Sequence, residues 1–318
     1  TSLQAKASNE LLISVQLNQS HLIYAFCGAG KTELLYPSIF DALQRGLRVC
    51  VATPRTDVVL ELAPRFQQVF PQTIIHALYG GSPDYSDFAQ LILATTHQLL
   101  RFEEAFDVVF VDEADAFPYT VDKSLQFAVQ KAKNKHAVVH TITATPSEEL
   151  LQQADNISLI SQRFHGFPLP VPRFVGLWNY KKHMYKDKLP QKLTNWTLQR
   201  LKSDQPFLIF FPTIDLMERA LPLFQQIHVD ILGVHAEDSE RKEKVLKLRR
   251  NQVCGLLTTT ILERGITIPN VQVAVVGADE QIFTSSALIQ ISGRVGRSVD
   301  FPSGDLVFFH HGISLEMD

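Results

Sequence analysis

Short runs of aliphatic and β-branched residues alternate with longer helix-patterned stretches along almost all of the 318 residues. That rhythm leaves few folds open. Strands joined by tight turns make antiparallel sheets, whereas a strand-helix-strand order requires crossovers and gives a parallel sheet with helices packed on it. Strands are expected at 21–26, 48–52, 74–78, 91–95, 107–111 and 137–142, then near 206–211, 229–234, 253–258, 271–276 and 305–309. Gly166, Pro168, Pro170 and Pro172 fall between the two series and resist both helix and central strand, so they read as a connector. A chain of this length also exceeds one ordinary core. The expected fold class is α/β with two tandem domains, 1–165 and 166–318, each a mainly parallel sheet covered by helices.

In an open parallel sheet the carboxyl ends of the strands form the ligand-binding edge, and the polar motifs gather there. The first strand runs into Ala25-Phe26-Cys27-Gly28-Ala29-Gly30-Lys31-Thr32, directly before a helical stretch. Gly28 and Gly30, with Ala29 between them, let consecutive N–H groups turn inward around phosphate oxygens; Lys31 reaches the β and γ groups and Thr32 can ligate Mg²⁺. The strict phosphate-loop pattern has glycine where this chain has Ala25. Further on, Val108-Val109-Phe110-Val111 leads into Asp112-Glu113-Ala114-Asp115. Asp112, at the strand's end, is placed to hold Mg²⁺, and Glu113 to polarise the water that attacks the γ-phosphate. A ligand-free glycine turn and a solvated acidic turn are the alternatives for each motif alone. Together they favour a nucleoside triphosphatase using ATP and Mg²⁺, with Lys31 and Glu113 as catalytic residues.

Composition narrows the class further. The hydrophobic fraction is 45% and the charged fraction 20%, as in an ordinary globular protein. No apolar run is long enough to cross a bilayer and no signal-like leader opens the chain, so a cytoplasmic location without a transmembrane segment is expected. The start at Thr1-Ser2-Leu3-Gln4 and the stop soon after the last expected strand read as a trimmed chain. Cys27, Cys50 and Cys254 are far apart, which fits buried thiols better than a disulfide or metal site, and the 11 histidines lack ligand spacing. The net charge of −3 argues against an all-round basic coat, yet it is uneven: residues 1–165 hold 12 Lys and Arg against 17 Asp and Glu, and residues 166–318 hold 18 against 16. Basic residues cluster at Lys181, Lys182, Lys186, Lys188 and Lys192, and again at Arg241, Lys242, Lys244, Lys247, Arg249 and Arg250. Either group can meet a polyanion. The second shares its helix with Glu240 and Glu243, where a solvated face is an equal reading.

The second series has its own polar cluster. Gln290-Ile291-Ser292-Gly293-Arg294-Val295-Gly296-Arg297 sets Arg294 and Arg297 close to one helical turn apart, so both can project the same way from a helix end. Guanidinium forks there suit arginine fingers, which neutralise charge on a γ-phosphate and accelerate hydrolysis about 10³- to 10⁵-fold in other NTPases. Thr258-Thr259-Thr260-Ile261-Leu262-Glu263-Arg264-Gly265-Ile266 also follows a strand. Its hydroxyls and N–H groups can grip nucleic-acid phosphates while the Gly265 backbone approaches nucleotide, or a threonine can simply cap a helix.

In this order the motifs resemble those of superfamily 2 helicases and translocases, over almost the whole chain. Residues 25–32 are similar to motif I, Thr53-Pro54-Arg55 to motif Ia, 112–115 to a DEAD-type motif II, Thr143-Ala144-Thr145 to motif III, 258–267 to motif V and 290–297 to motif VI. Leu3-Gln4 resembles the adenine-reading Q motif, at a longer distance from the loop than DEAD-box proteins usually show. The resemblance implies two RecA-like domains and a nucleotide set of Gln4, Gly28, Ala29, Gly30, Lys31, Thr32, Glu33 and Gly265. It implies coupling of nucleotide state to nucleic-acid grip through Thr143 and Thr145. It further implies DNA contacts at Thr53, Pro54, Arg55, Gly80, Gly81, Thr95, Thr96, Thr258, Thr259 and Thr260.

Within the superfamily, Cys27-Gly28-Ala29-Gly30-Lys31-Thr32-Glu33, Val111-Asp112-Glu113-Ala114-Asp115-Ala116-Phe117-Pro118 and Ile291-Ser292-Gly293-Arg294-Val295-Gly296-Arg297-Ser298 look most like the ComFA family of late competence proteins. That likeness implies a bacterial ATPase, stimulated by single-stranded DNA, that helps draw transforming DNA through an inner-membrane channel. It also implies peripheral association with that channel at the membrane, and partnership with ComFC and a recombination mediator. ComFA proteins usually carry a four-cysteine zinc site towards the N-terminus; this chain has no such cluster, so zinc is not assigned. DEAD-box RNA helicases usually have Asp at the position of Thr267 and Arg at that of Ile291, differences that favour a DNA translocase. The leading expectation is an ATP-driven motor on single-stranded DNA. A DEAD-box-type RNA helicase is the nearest alternative, and an ATP-gated nucleic-acid-binding scaffold with little turnover is the alternative of another class.

Overall fold

Apolar runs without hairpin turns between them must pair through crossovers, and in a computed structural model of the chain they do so in two separate sheets. The structure describes residues 2–26, 28–262 and 268–317. The chain divides into two units, Thr1–Gly166 and Phe167–Asp318.

In the first unit, β1 (His21–Ala25), β2 (Val49–Thr53), β3 (Ile75–Leu78), β4 (Leu91–Thr95), β5 (Val108–Asp112), β6 (Val139–Thr143) and β7 (Asn156–Ile160) form a seven-stranded sheet. Their order is β3-β4-β2-β5-β6-β1-β7, with every neighbouring pair parallel. The helices are α1 (Ser2–Leu17), α2 (Lys31–Gln44), α3 (Thr56–Val69), α4 (Lys123–Ala132) and α5 (Glu148–Gln153). Strand side chains alternate between faces. Val49, Val51, Leu91, Leu93, Val108 and Phe110 therefore join the core that includes α1, α2 and α3. Cys50, Ala52, Ile92, Ala94, Val109 and Val111 join the opposite core with α4. Central strands buried on both faces read as continuous apolar runs, which is why they were legible.

The second unit repeats the scheme with β8 (Arg173–Gly176), β9 (Phe207–Phe210), β10 (Ile231–Val234), β11 (Gly255–Thr258), β12 (Gln272–Val276) and β13 (Leu306–His310), in the order β10-β11-β9-β12-β13-β8. All its pairs are parallel. Its helices are α6 (Tyr180–Met184), α7 (Gln191–Lys202), α8 (Ile214–Gln225), α9 (Arg241–Arg249) and α10 (Ser285–Ser292). Leu208, Phe210, Val273, Val275 and Phe308 face one core, and Phe207, Ile209, Ala274, Val276 and Phe309 the other. The match to tandem RecA-like architecture is complete at the level of two parallel α/β sheets.

Two strands lie outside the expected set, β7 and β8. Each is the last strand at an edge of its sheet. β7 alternates exposed with buried residues, Ile157 and Leu159 facing out, and β8 lies just after Pro168, Pro170 and Pro172. Neither gives the apolar run of a central strand. β7 is fastened to α1 and β1 by a buried polar chain. Ser14 Oγ lies 2.8 Å from His21 Nδ1, His21 Nε2 lies 2.9 Å from Ser158 Oγ, and that hydroxyl donates to the Glu10 carboxylate.

Candidate functional site

The loop between β1 and α2 is shaped by glycine. Gly28 and Gly30 have φ of +82° and +70°, in the left-handed region, and a Cβ on Gly30 would come within 2.8 Å of Gln4 Nε2. No side chain fits there without moving Gln4. Gln4, on α1, donates from Nε2 to the Ala29 carbonyl at 2.6 Å, and the Ala29 N–H donates to Phe26 O at 3.1 Å. Gly30 is the N-cap of α2 and supplies no side-chain cap, whereas Asp122, Ser147, Thr213 and Thr284 cap α4, α5, α8 and α10 with side-chain oxygens. Such a cap is worth about 1 kcal/mol. Lys31 and Thr32, both half-buried, open the helix where its N–H groups and dipole favour an anion. Glu33 is exposed, with Oε2 3.4 Å from the Gly30 Cβ position and Oε1 paired with Arg65 of α3.

The acidic turn lies one strand beyond β6. Asp112 ends β5 opposite Ile142 of β6 and is buried, 7% exposed. Glu113 then leaves the strand with φ +56°, a conformation that costs a non-glycine residue about 1–2 kcal/mol. Its N–H donates to Asp112 Oδ1 at 2.8 Å, and the Ala114 N–H donates to Ile142 O at 3.2 Å. Burial, reinforced by the Glu113 carboxylate, pushes the Asp112 carboxyl up to about 6, and the Lys31 ammonium pulls the other way. β6 ends in buried Thr143, whose Oγ1 accepts from the Thr145 N–H at 3.1 Å. Thr145 Oγ1 donates to Asp115 Oδ2 at 2.7 Å, so the turns after β5 and β6 are joined. β6 pairs with β1 on its other side. The loop, the acidic turn and Thr143-Ala144-Thr145 thus emerge from three adjacent strands at one sheet edge.

A glycine cradle that a Cβ would fill, a lysine heading an uncapped helix and a buried carboxylate facing that lysine suit a magnesium nucleotide. Glu113 sits one residue past the metal-type carboxylate, where a base or water-orienting group belongs.

The expected DNA contacts are less uniform. Thr53, Pro54, Thr95, Thr96 and Thr258 are buried, and Thr258 Oγ1 donates to the Thr259 carbonyl at 3.1 Å. Thr53, Thr95 and Thr258 end the interior strands β2, β4 and β11, and Pro54 and Thr96 follow directly after strands. Arg55 forks from Nε and Nη2 onto Asp57 at 3.1 and 2.7 Å within the first turn of α3. Gly80 and Gly81 are exposed with open space around them, and Thr259 and Thr260 are half-buried. Gly265 and the rest of residues 263–267 lie outside the described residues.

Arg294 and Arg297 both follow the end of α10, which ends at Ser292 and is C-capped by Gly293. Arg294 is buried and Arg297 half-buried. Of the basic clusters, Lys182, Lys186 and Lys188 are exposed, while Lys192 donates to Gly176 O at 2.9 Å. Lys244 pairs with Asp238 at 2.8 Å and Lys247 with Glu243 at 2.8 Å, which gives α9 a salt-bridged face. Among the described residues no group of His, Cys, Asp and Glu could hold a metal by itself, and no helix is long and apolar enough to cross a membrane.

One residue at the loop escaped the motif reading. Residues 160–166 run back over it: the Phe26 N–H donates to Ile160 O at 3.1 Å, and the Phe164 N–H donates to Gly28 O at 2.9 Å. Arg163 between them is 1% exposed. Its Cγ and Nε lie 3.6 and 3.7 Å from where a Cβ on Gly28 would be, and Phe164 Cβ lies 3.7 Å from the Gly30 equivalent. A single arginine before a proline-rich connector carries no pattern that spacing would reveal.

Known proteins place this arrangement. The family described as Type III restriction enzyme, res subunit, matches residues 1–148, and the Helicase conserved C-terminal domain matches residues 187–299. Among solved structures, a Mycobacterium smegmatis helicase Lhr bound to ssDNA and AMP-PNP superposes with a TM-score of 0.72 at 17% identity, over 98% of this chain and 46% of that one. S. cerevisiae Dbp5 bound to RNA and ADP BeF3 does so with a TM-score of 0.67 at 16% identity, over 93% of this chain and 80% of that one. Competence protein ComFA of Bacillus subtilis (strain 168) is 48% identical over 318 residues, 99% of this chain and 69% of that protein. The ComFA of Streptococcus pneumoniae (strain ATCC BAA-255 / R6) is 40% identical over 321 residues, 99% of this chain and 74% of that protein. With that identity along its whole length, and with superfamily 2 helicase-type ATPase domains, the chain belongs to the ComFA family of competence proteins.

Proposed function

We propose that the chain is an ATP-driven motor that moves along, or pulls, single-stranded DNA during bacterial transformation. The observation that carries this reading is the emergence of the glycine loop, the acidic turn and the Thr143-Ala144-Thr145 turn from adjacent strands β1, β5 and β6 within a competence-family chain. In the proposed cycle the N–H groups of residues 28–32 and the Lys31 ammonium bind the β- and γ-phosphates, and Gln4 keeps the loop closed from α1 while facing the adenine side. Thr32 and Asp112 hold Mg²⁺, which when bound neutralises charge building on the transferred phosphate. Glu113 orients and deprotonates the attacking water. Arg294 and Arg297, from the second unit, stabilise the departing charge, with Gly265 near the nucleotide; turnover then depends on both units.

The hydrogen bond between Asp115 and Thr145 links the acidic turn to the turn after β6, and we assign it the coupling of nucleotide state to DNA grip. DNA itself is met by exposed backbone at Gly80 and Gly81 and by Thr259 and Thr260, with phosphates read rather than bases. Residues 1–165 are proposed as the ATP-binding domain and 166–318 as its partner domain. A cytoplasmic position at the inner face of the membrane, beside the DNA-import channel, with ComFC and a recombination mediator as partners, completes the proposal.

Steady-state ATP hydrolysis at fixed low salt with no polymer, single-stranded DNA, duplex DNA and single-stranded RNA tests it. Stimulation chiefly by single-stranded DNA is expected. A preference for RNA selects the RNA-helicase reading, and nucleotide binding with no hydrolysis under any condition selects the clamp-like scaffold.

A further inference from the structure

We propose that Trp178 is a stacking platform for a base of single-stranded DNA at one corner of the second sheet, with Lys192 and the exposed lysines of residues 181–188 taking the flanking phosphates. This deepens the DNA-motor reading and rests on it. The chain has two tryptophans, and they are used in opposite ways. Trp196 is 5% exposed and donates from Nε1 to Asp305 at 2.7 Å, whereas Trp178 is 62% exposed. Exposed as it is, the Trp178 ring is braced. Its Nε1 lies 3.3 Å from where a Cβ on Gly176 would be, and the ring meets that of exposed His311 edge to face, with centroids 4.9 Å apart at 73°. The backbone beneath is fixed as well: Gly176 pairs with His310 at the ends of β8 and β13, and the Leu177 N–H donates to His310 O at 2.7 Å. A T-shaped neighbour covers at most one face of an indole, which leaves a face for a planar ligand.

Cations surround this ring. Residues 178–192 hold five lysines and one acid, Asp187. Lys192 stands in the first turn of α7, where the helix dipole disfavours a cation. Its ammonium is nevertheless held at 2.9 Å on the carbonyl of Gly176, the residue against which the indole rests. The acids that follow β12 are already engaged: Asp279 Oδ1 accepts from the His311 N–H at 2.9 Å, and Glu280 accepts from the Tyr180 hydroxyl at 2.8 Å and pairs with Lys181. An open aromatic face among ammonium groups suits a single strand, with a base on the ring and phosphates on the cations. A duplex keeps its bases stacked on one another and offers no such face. Tryptophan and lysine also suit a membrane surface, but α6 turns its apolar Tyr180 and Met184 into the core. The corner lies on the carboxyl edge of the sheet, where ligands bind, and shares it with Thr259 and Thr260 after β11, four strand spacings or roughly 19 Å away.

The test measures binding of the full chain, Trp178→Ala, Trp178→Phe and Lys192→Gln to a labelled oligothymidylate and to phosphatidylglycerol vesicles. Trp178→Ala is expected to lose about fivefold to 100-fold in oligothymidylate affinity, the range for one stacked base. Its melting temperature holds within about 2 °C, as for a surface side chain. Trp178→Phe keeps part of the affinity. Lys192→Gln lowers the slope of log affinity against log salt by about 0.7, the value of one phosphate contact. Oligothymidylate quenches tryptophan fluorescence in the parent, and that quenching is lost in Trp178→Phe, whose remaining Trp196 is buried; a merely structural tryptophan gives no such signal. Should Trp178→Ala melt lower, the quenching decides. Unchanged affinity in Trp178→Ala overturns the proposal, as does quenching that persists in Trp178→Phe. Vesicle binding lost in Trp178→Ala while oligothymidylate affinity holds overturns it too and assigns the corner to the membrane. A parent that binds no oligothymidylate overturns the DNA reading itself.

Discussion

The Asp112 carboxyl is buried beside a second acid and yet, in its proposed role, must be charged. Its value of about 6, raised mainly by burial, fixes the direction of a pH effect. Protonated, it cannot hold a cation. The Mg²⁺ concentration needed for half-maximal hydrolysis is therefore expected to climb as pH falls through 6, by up to about tenfold per unit below it, with excess Mg²⁺ restoring turnover. A flat Mg²⁺ requirement between pH 7.5 and 5.5 removes Asp112 from the metal. The sign for stability is opposite. A carboxyl whose folded-state pKa lies above the ordinary 3.8 destabilises the nucleotide-free fold once pH passes that window, so Asp112→Asn is expected to melt no lower than the parent at pH 7.5 while losing Mg²⁺-dependent turnover. Glu113→Gln keeps the shape of the side chain and removes only the base. Nucleotide binding survives in that variant and turnover drops by about 10²-fold or more; near-normal hydrolysis means another group activates the water.

Between elements, the Thr145–Asp115 hydrogen bond links the turns after β6 and β5 through side chains. Thr145→Val keeps the shape and deletes the donor. The expected result is a fall in the ratio of DNA-stimulated to unstimulated hydrolysis, read in the same assay; an unchanged ratio means coupling runs elsewhere. β6 also carries His140, buried against Phe110 and driven down to about 3 by burial and then by His21, itself lowered by burial. A histidine with a depressed folded-state pKa stabilises fully above 6.5, and that stability is lost as pH falls below it, at up to about 1.4 kcal/mol per pH unit for each such proton. Melting between pH 7.5 and 5 should fall less steeply in His140→Leu than in the parent. The same scale shows what was legible beforehand. Strands buried on both faces, β1, β2, β4, β5 and β12 among them, announce themselves as apolar runs. The edge strands β7 and β8 do not, because one side of each meets solvent or a proline-rich stretch. A hydroxyl after an apolar run reads as a ligand in sequence, and Thr53, Thr95 and Thr96 are buried where they follow such runs. The glycine loop and acidic turn were legible because glycine, lysine and paired carboxylates have few other reasons to sit at successive strand ends.

For the whole molecule, the nucleotide-type loop and the paired arginines belong to different units, each with its own two-faced core. A motor reading requires the second unit to act on chemistry held by the first. Arg297→Ala is accordingly expected to lower kcat more than ATP affinity, while the reverse pattern makes Arg297 a ground-state contact. In the proposed role phosphates rather than bases are read, so affinity for single-stranded DNA should fall with added salt, and a salt-insensitive affinity contradicts that role. The order of strands in the first sheet reaches beyond catalysis, into synthesis. β1 comes first along the chain of the strands in that sheet, but its neighbours are β6 and β7, the last two of them. The glycine loop follows β1 and is strapped by residues 160–166, so a nascent chain cannot set its phosphate cradle until the whole first unit has emerged. Parallel pairing over such separations is slow and leaves unpaired strands exposed meanwhile. Any truncation that removes β7 is therefore predicted to cost the nucleotide site itself, although every residue of its motifs is still present.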